Sequence, residues 1–164
     1  MRMLFFILAC SLSASAAAQH IAPASDLARE ARAAQVAHAP LLVFYTQPDC
    51  SYCERARRDY LEPMLADPAQ RGRLRVVEVD IASAAPLVDF AGHRTTQAAF
   101  AASRHVRVVP TIAFFGAGGE RLAEPLVGLT LPDFYLTYLE RRVDQARALI
   151  SPPPGRAAPA TGGG

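Results

Sequence analysis

The sequence contains no lysine, no tryptophan and few cysteines. All 17 basic residues are therefore arginine, and 15 acidic residues bring the formal net charge to +2 over 164 residues. The arginines are scattered and form no long basic block with interleaved aromatic residues, which is the pattern of a nucleic-acid-binding surface. We therefore expect no nucleic acid partner. A chain of this length is expected to fold as one domain around one core.

Residues 1–18 have the pattern of a secretory signal peptide. Arg2 supplies a positive charge, residues 4–9 form a short apolar stretch, and residues 16–18 are three alanines that suit a cleavage site. The apolar stretch is shorter than the roughly 20 residues that span a bilayer. We therefore expect cleavage near residue 18 and a soluble periplasmic product. The alternative is a lipid anchor on Cys10, because Ile7-Leu8-Ala9-Cys10 resembles a bacterial lipobox.

The other end of the chain has a different composition. Residues 151–164 consist mostly of Pro, Ala and Gly. Such a segment has too little apolar surface to offset the entropy lost on ordering, so we expect a disordered tail. The folded domain is therefore predicted to span residues 19–150.

Periodicity within this domain predicts an α/β fold with a central mixed sheet flanked by helices. Apolar spacing and turn residues give the following elements: helix 25–38 with Ser25 as its N-cap, strand 41–45, helix 50–66, strand 74–80, helix 95–105, hairpin 111–124 and helix 130–150. Strands separated by a helix are expected to run parallel, whereas the hairpin adds antiparallel pairing.

Two details of this pattern are further expectations. The last helix is predicted to turn Phe134, Tyr138, Leu139, Val143 and Ala146 inward. Residues 83–94 show no regular pattern, and we expect them to shape a substrate groove around Phe90 and His93.

The two cysteines within the predicted domain form the motif Cys50-Ser51-Tyr52-Cys53. Cysteines three positions apart close a loop too short to stabilise the fold much, so their role is expected to be chemical. A structural zinc site needs four ligands, and a second cysteine or histidine pair with ligand spacing is missing from the sequence. We therefore expect no metal and no other cofactor.

Redox chemistry fits the position of the pair. Cys50 follows a strand and begins a helix, where unpaired backbone N–H groups and the helix dipole favour a thiolate. Cys53 lies one turn further on and is expected to be more buried. Cys50 can then attack a substrate disulfide, and Cys53 resolves the mixed disulfide, with both directions of exchange open to the pair.

Charged residues around the motif oppose one another. Arg55, Arg57 and Arg58 follow it and raise the positive potential near Cys50, whereas acidic residues at positions 49 and 54 lower that potential. The net effect on the thiol is not fixed by the sequence.

From Pro40 to Val143 the sequence resembles the thioredoxin superfamily. An apolar strand leads into the Cys50–Cys53 motif, Val108-Val109-Pro110-Thr111 precedes a strand, and Leu126-Val127-Gly128 follows the hairpin.

The resemblance implies a thioredoxin-like fold and a protein-disulfide oxidoreductase. It also implies that Pro110 is cis and lies against the cysteine pair, and that the backbone of Val109 pairs with substrate as a strand would. Ser51 and Tyr52 are expected to contact the same substrate.

Three departures from the cytosolic thioredoxins are visible. Asp49 stands where they have Trp, Ser51-Tyr52 replaces Gly-Pro, and Phe44 occupies the position of a buried Asp. The proton acceptor for the resolving thiol is therefore open, with a water, Glu54 or Asp49 as alternatives.

The Tyr before the second Cys is similar to exported thioredoxin-like proteins of bacterial sulfur oxidation and cytochrome c maturation. This resemblance favours a monomeric reductase of protein disulfides that receives electrons from a membrane-embedded partner. A disulfide oxidant or isomerase of the same fold is one alternative. A periplasmic copper-binding protein, with His93 or His105 as an added donor, is another, although such relatives usually space their cysteines by three residues.

Overall fold

The computed structural model describes residues 20–150. The predicted signal peptide at residues 1–18, the alternative lipid site at Cys10 and the predicted tail at residues 151–164 lie outside the described residues. The helices and strands are α1 Leu27–Val36, β1 Leu41–Thr46, α2 Ser51–Ala56, α3 Glu62–Ala66, β2 Arg75–Asp80, β3 Pro86–Val88, β4 Arg94–Thr96, α4 Gln97–Ser103, β5 Thr111–Phe115, β6 Arg121–Val127 and α5 Pro132–Ile150.

Four strands form the central sheet in the order β2-β1-β5-β6. β1 and β2 run parallel, and the pair Thr46 and Asp80 ends their shared register. β5 runs antiparallel to both β1 and β6. The predicted mixed sheet flanked by helices is thus confirmed. In residues 20–150, no helix has both the length and the apolar character needed to cross a membrane.

β1 is the centre of the fold, because all six of its residues are buried. Side chains alternate between the two faces of a strand. Leu41, Val43 and Tyr45 therefore join one core cluster with residues of α1 and α4. Leu42 and Phe44 join a second cluster with residues of α2, α3 and α5. The cysteine pair belongs to the second face.

The helical run after β1 is longer than α2 alone. A π-helical turn, Arg57–Leu61, joins α2 to α3, and the run ends at Ala66, ahead of a 3-10 turn at Pro68–Gln70. The predicted helix over residues 50–66 is therefore nearly right in extent. Pro63 lies within α3 and does not end the run.

The first helix begins one residue later than predicted. Asp26, and not Ser25, is its N-cap, because the Asp26 carboxylate accepts a hydrogen bond from the Arg29 N–H at 2.8 Å. The Ser25 carbonyl instead accepts a hydrogen bond from the N–H of Val88. The helix ends at Val36, and His38 has a φ of 52°, which is incompatible with continuing an α-helix.

The predicted inward face of α5 is partly wrong. Phe134 and Tyr138 are 59% and 40% exposed, whereas Tyr135 is buried. The buried positions are Tyr135, Leu139, Val143 and Ala146. Each residue turns an α-helix by about 100°, so neighbours of the buried stripe face away from it. The sequence carries aromatic residues on both stripes, and only packing against the sheet separates them.

Residues 83–94, for which no regular structure was predicted, contain β3 and lead into β4, and the two strands form a small antiparallel hairpin. Asp89 holds the turn, because its Oδ1 accepts hydrogen bonds from the N–H groups of Ala91 and His93. Phe90 is buried, with its ring centroid 4.9 Å from that of Phe115. Phe90 is therefore a core residue, and the expectation that it lines a groove is wrong.

Candidate active site

The cysteine pair lies where β1 passes into the helical run. An exposed turn, Gln47–Asp49, follows the buried strand, and Asp49 takes a φ of 58°. This turn places Cys50 as the N-cap of α2, with its Sγ accepting a hydrogen bond from the Cys53 N–H at 3.1 Å. The first sulfur therefore lies against the N-terminal N–H groups of the helix, which favour negative charge.

The two sulfurs form a disulfide, with the two Cα atoms 5.2 Å apart. Cys50 is partly buried, whereas Cys53 is only 1% exposed. Ser51 and Tyr52, the residues between them, are exposed on the first turn of α2. An accessible first sulfur and a buried second one form a pair that can exchange electrons with a partner's thiols or disulfide.

The three arginines after the motif, which we call the motif arginines (Arg55, Arg57 and Arg58), are all paired with carboxylates. Arg55 and Arg58 both contact Asp59, at 3.5 and 2.7 Å. The hydrogen bond from Arg58 is the largest influence that lowers the pKa of Asp59 below its ordinary value. Neighbouring carboxylates thus largely compensate the positive charge that the sequence places near Cys50.

Arg57 is the least exposed of the motif arginines and lies between two carboxylates. It contacts Glu54 at 3.1 Å and Glu78 of β2 at 2.7 Å. Its guanidinium also lies over the ring of Phe44, 5.7 Å from the ring centroid. These contacts fix Arg57 one turn beyond Cys53 on the same helical run.

Glu78 is a residue of this site that the sequence analysis missed. It pairs in register with Phe44, so a carboxylate on the neighbouring strand lies next to the position where the cytosolic thioredoxins carry one on β1. Glu78 Oε1 also accepts a hydrogen bond from the Thr46 hydroxyl at 2.8 Å. The available signal was a charged residue placed between Val77 and Val79 in the middle of β2. Of the alternatives named earlier, Glu54 contacts Arg57, and Asp49 is exposed in the turn.

The loop before β5 contains the two residues that the resemblance links to substrate binding, Val109 and Pro110. The Val109–Pro110 peptide bond is cis. The Pro110 carbonyl accepts a hydrogen bond from the Gly128 N–H at 2.7 Å, and the Val108 carbonyl accepts one from the Thr111 hydroxyl. The Val109 side chain packs against both core clusters, including the one that contains Cys53. The backbone N–H and C=O of Val109 bond to no other residue in the range 20–150.

Metal-ligating side chains are dispersed over the described part of the chain. No three His, Cys, Asp or Glu side chains among residues 20–150 come together as a possible metal site. His93 is an exposed residue of the β3–β4 turn and contacts Asp89 at 3.5 Å. His105 is exposed just beyond α4. Neither histidine joins the cysteines in a ligand cluster, so nothing in the described fold favours the copper alternative.

Comparison with known proteins gives a consistent result. The family model of the thioredoxin-like domain matches residues 27–142. The solved structure of Trxlp from Edwardsiella tarda is similar, with 29% identity, a TM-score of 0.52, and coverage of 73% of this chain and 98% of that one. The periplasmic thioredoxin SoxS from Paracoccus pantotrophus shares 24% identity, with a TM-score of 0.47 and coverage of 65% and 98%. No curated protein sequence matches the chain.

The family match covers most of the described residues, from α1 into α5, and it includes both cysteines and the loop before β5. The fold is therefore thioredoxin-like, as the resemblance implied. The chain belongs to the thioredoxin-like domain family and is a protein-disulfide oxidoreductase with a disulfide-forming Cys-x-x-Cys pair.

Proposed function

We propose that this protein is an exported reductase of protein disulfides. In the reduced protein, the Cys50 thiolate attacks one sulfur of a substrate disulfide, forms a mixed disulfide and releases the first substrate thiolate. The Cys53 thiolate then attacks Cys50 Sγ, which releases the second substrate thiolate and leaves the Cys50–Cys53 disulfide. A dithiol donor returns two electrons to the pair in the same manner. The greater exposure of Cys50 supports its role as nucleophile.

The pairing of the motif arginines is the observation that carries the direction of electron flow. A strongly oxidising pair has a strongly stabilised thiolate, and uncompensated positive side chains near the thiol add to the stabilisation that a helix N-terminus gives. Here Arg55, Arg57 and Arg58 are all neutralised by carboxylates. Ser51 and Tyr52, between the cysteines, carry no charge. This environment supports a reducing pair and counts against the oxidant or isomerase alternative.

Val109 is the proposed docking point for the substrate backbone. Its free N–H and C=O groups, in a loop packed on the Cys53 cluster, suit strand-like pairing with an extended segment. We propose that Pro110 shapes this loop and that exposed Ser51 and Tyr52 contact the substrate around the reacting disulfide. Tyr52 is 61% exposed, which leaves its ring available for such a contact.

Export, the electron donor and the oligomeric state are also part of the proposal. The charged start, apolar stretch and alanine cleavage site within residues 1–18 support export to the periplasm. We propose a monomer that is reduced by a membrane-embedded dithiol partner. Detection of a mature chain beginning near Gln19 in the periplasmic fraction tests export. Recovery of a membrane-bound lipoprotein modified on Cys10 would instead support the lipid anchor.

The reduction potential of the Cys50–Cys53 pair tests the direction of electron flow. The mature protein is equilibrated with glutathione and dithiothreitol buffers, and its dithiol and disulfide forms are separated after thiol alkylation. A value near −270 mV, as in thioredoxin, supports the reductase; a value near −120 mV identifies an oxidant. If no disulfide forms at any potential, the proposal fails altogether.

Trapping tests the assigned roles of the two cysteines. The variant Cys53→Ala retains the attacking thiol and lacks the resolving one, so it should accumulate substrates in mixed disulfides with Cys50. The matched variant Cys50→Ala should trap none. Equal trapping by both variants would contradict the assignment.

A further inference from the structure

A pocket of about 320 Å³ opens on the face of the sheet opposite to Cys53. Tyr45 of β1 and two residues of β5, Ala113 and Phe115, form its apolar floor. Its rim comes from residues 104–108, which lead into the Val109–Pro110 loop, and from β6. The size lies at the lower end of small-molecule sites, which suits a ligand of one ring or a short chain.

Arg104 lines this pocket and packs against three aromatic rings. Its guanidinium carbon lies 5.4 Å from the ring centroids of Phe90 and Phe100 and 5.5 Å from that of Phe115. Arg104 is partly buried, yet its side chain makes no hydrogen bond or ion pair with any residue in the range 20–150. Contacts with aromatic rings position a guanidinium without using its N–H donors. Arg104 therefore presents a fixed and unused set of donors.

The hydroxyl of Tyr45 is a second unused donor. Tyr45 is 0% exposed, and its hydroxyl has no hydrogen-bond partner within the described fold. Burial raises the pKa of Tyr45, so the hydroxyl keeps its proton over the whole neutral range. Buried hydroxyls are normally paired, and an unpaired one that lines a pocket is a candidate for pairing with a ligand.

The charge around the pocket has one sign. Arg107 and Arg121 are exposed at the rim, Arg104 is partly buried beside them, and we call these three the pocket arginines. None of the residues that line the pocket is acidic. The remaining wall is apolar and includes Val106, Val108, Pro125 and Val127. The pocket thus combines a positive rim with apolar walls.

We propose that this pocket binds a small organic carboxylate with an apolar body. The carboxylate oxygens accept hydrogen bonds from the Arg104 guanidinium and the Tyr45 hydroxyl, and the apolar part packs against the valines of the wall. A guanidinium matches the planar geometry of a carboxylate, and the apolar wall disfavours a bare inorganic anion. The site is separate from the cysteine chemistry and does not depend on the direction of electron flow.

Phenylacetate is a suitable probe, because it has a carboxylate and one ring. Its binding is measured by calorimetry and by NMR shifts of the folded protein, with neutral phenylacetamide and inorganic phosphate as comparison ligands. We expect saturable 1:1 binding of phenylacetate that weakens as salt is added, and at least about tenfold weaker binding of the other two. No saturable binding of phenylacetate would overturn the proposal. Equal binding of the amide or of phosphate would overturn it as well.

Three variants localise the binding. Arg104→Gln and Tyr45→Phe should each weaken phenylacetate binding by about tenfold or more, since each removes a hydrogen bond to a charged group. Arg32→Gln removes an exposed arginine of α1 that has no ion pair in residues 20–150, and it should leave the affinity unchanged. Tyr45→Phe deletes a single oxygen atom, so it still tests the proposal if the Arg104→Gln variant does not fold. An affinity that neither substitution changes would overturn the assignment.

Discussion

The motif arginines and the pocket arginines serve two faces of one sheet and have opposite surroundings. Arg55, Arg57 and Arg58 lie on the helical run that carries the cysteines, and every one contacts a carboxylate. Arg104, Arg107 and Arg121 surround the pocket, and none has a carboxylate partner within residues 20–150. Because all basic residues are arginine, composition does not distinguish the groups. Their function follows from the partners that the fold brings to them.

This difference separates two kinds of electrostatic environment. Compensated charge beside a thiol leaves the energies of the dithiol and disulfide forms close to those of an ordinary pair, which suits a reductase. Uncompensated positive charge beside an apolar pocket attracts an anion. The attraction is strongest where the guanidinium is already desolvated. Arginine side chains are thus charge-compensated on the cysteine face, whereas on the pocket face they are available to attract an anionic ligand.

The largest expected effect tests whether redox chemistry is confined to the cysteine face. Cys50→Ser removes the attacking thiol and should reduce the rate of insulin disulfide reduction to below about one-thousandth of the unmodified protein's rate. Arg32→Gln, on the opposite face of the sheet, should retain the full rate. Substantial activity in Cys50→Ser would show that another residue is the nucleophile. The contrast between a redox face and a pocket face of the sheet would then fail.

Tyr45 and Thr46 allow the two faces to be compared at neighbouring positions of one strand. Both side chains are buried, but the Thr46 hydroxyl bonds to Glu78 whereas the Tyr45 hydroxyl has no partner in the described residues. Thr46→Val should therefore lower the free energy of unfolding by about 1–2 kcal/mol. Tyr45→Phe should leave it unchanged or raise it by up to about 1 kcal/mol, since an unpaired polar group returns to water on unfolding.

Urea denaturation of the ligand-free variants measures both changes. The prediction is that Thr46→Val loses stability and that Tyr45→Phe does not. A clear loss of stability in Tyr45→Phe would show that its hydroxyl already has a partner in solution. In that case, the contrast between the two faces would be weaker than the structure indicates.

The parts of this fold that were predictable are those with local signals. The apolar run Leu41–Tyr45 has the length and aromatic content of a buried strand, and Cys50 directly follows the turn that ends it. α5 was predictable in extent but not in orientation. Phe134 and Tyr135 are adjacent aromatic residues, and periodicity does not choose between them when both stripes carry apolar residues.

The surroundings of individual side chains depended on distant partners and could not be predicted. Glu78 contacts Arg57 and Thr46, which are 21 and 32 residues away in the chain. Arg104 contacts rings that come from the β3–β4 turn and from β5. A single sequence gives no register for these contacts, because they are fixed by strand pairing and by packing between elements.

The reduction potential offers a finer test of charge compensation beside the cysteines. Glu78→Gln removes a negative charge and leaves Arg57 paired with Glu54 alone among residues 20–150, so it stabilises the Cys50 thiolate and should raise the potential. Arg57→Gln leaves carboxylates unpaired and should lower it. We expect each substitution to change the free-energy difference between the dithiol and disulfide forms by about 0.5–1 kcal/mol. For a two-electron couple this shifts the reduction potential by roughly 10–20 mV.

Arg75→Gln is the matched control for this pair of variants. Arg75 also has a carboxylate partner, Glu30, but it lies three residues along β2 from Glu78, about 10 Å away. Its replacement should shift the potential by less than either of the other two. Shifts of the same sign in Glu78→Gln and Arg57→Gln would contradict the compensation argument, and high salt should reduce both shifts.

The smallest expected effect is the pH dependence of stability that Asp59 contributes. The hydrogen bond from Arg58 lowers the pKa of Asp59 in the folded protein, so the unfolded chain binds its proton at a higher pH. The stabilisation is fully present above the ordinary pKa of an aspartate and is lost as the pH falls through the lowered value. Unfolding curves between pH 2.5 and 6 should therefore show Asp59→Asn approaching the unmodified protein as the pH falls.

Glu140→Gln is the control for this measurement, because Glu140 is an exposed carboxylate of α5 without an ion pair in residues 20–150. Its difference from the unmodified protein should be smaller at the upper end of the pH range than that of Asp59→Asn. The effect at Asp59 should also shrink with added salt, because the pair with Arg58 is exposed and screened. If the Asp59→Asn difference were the same at every pH, Asp59 would not titrate differently on folding. The motif arginines would then be less well compensated than their contacts indicate, and the contrast with the pocket arginines would rest on Arg57 alone.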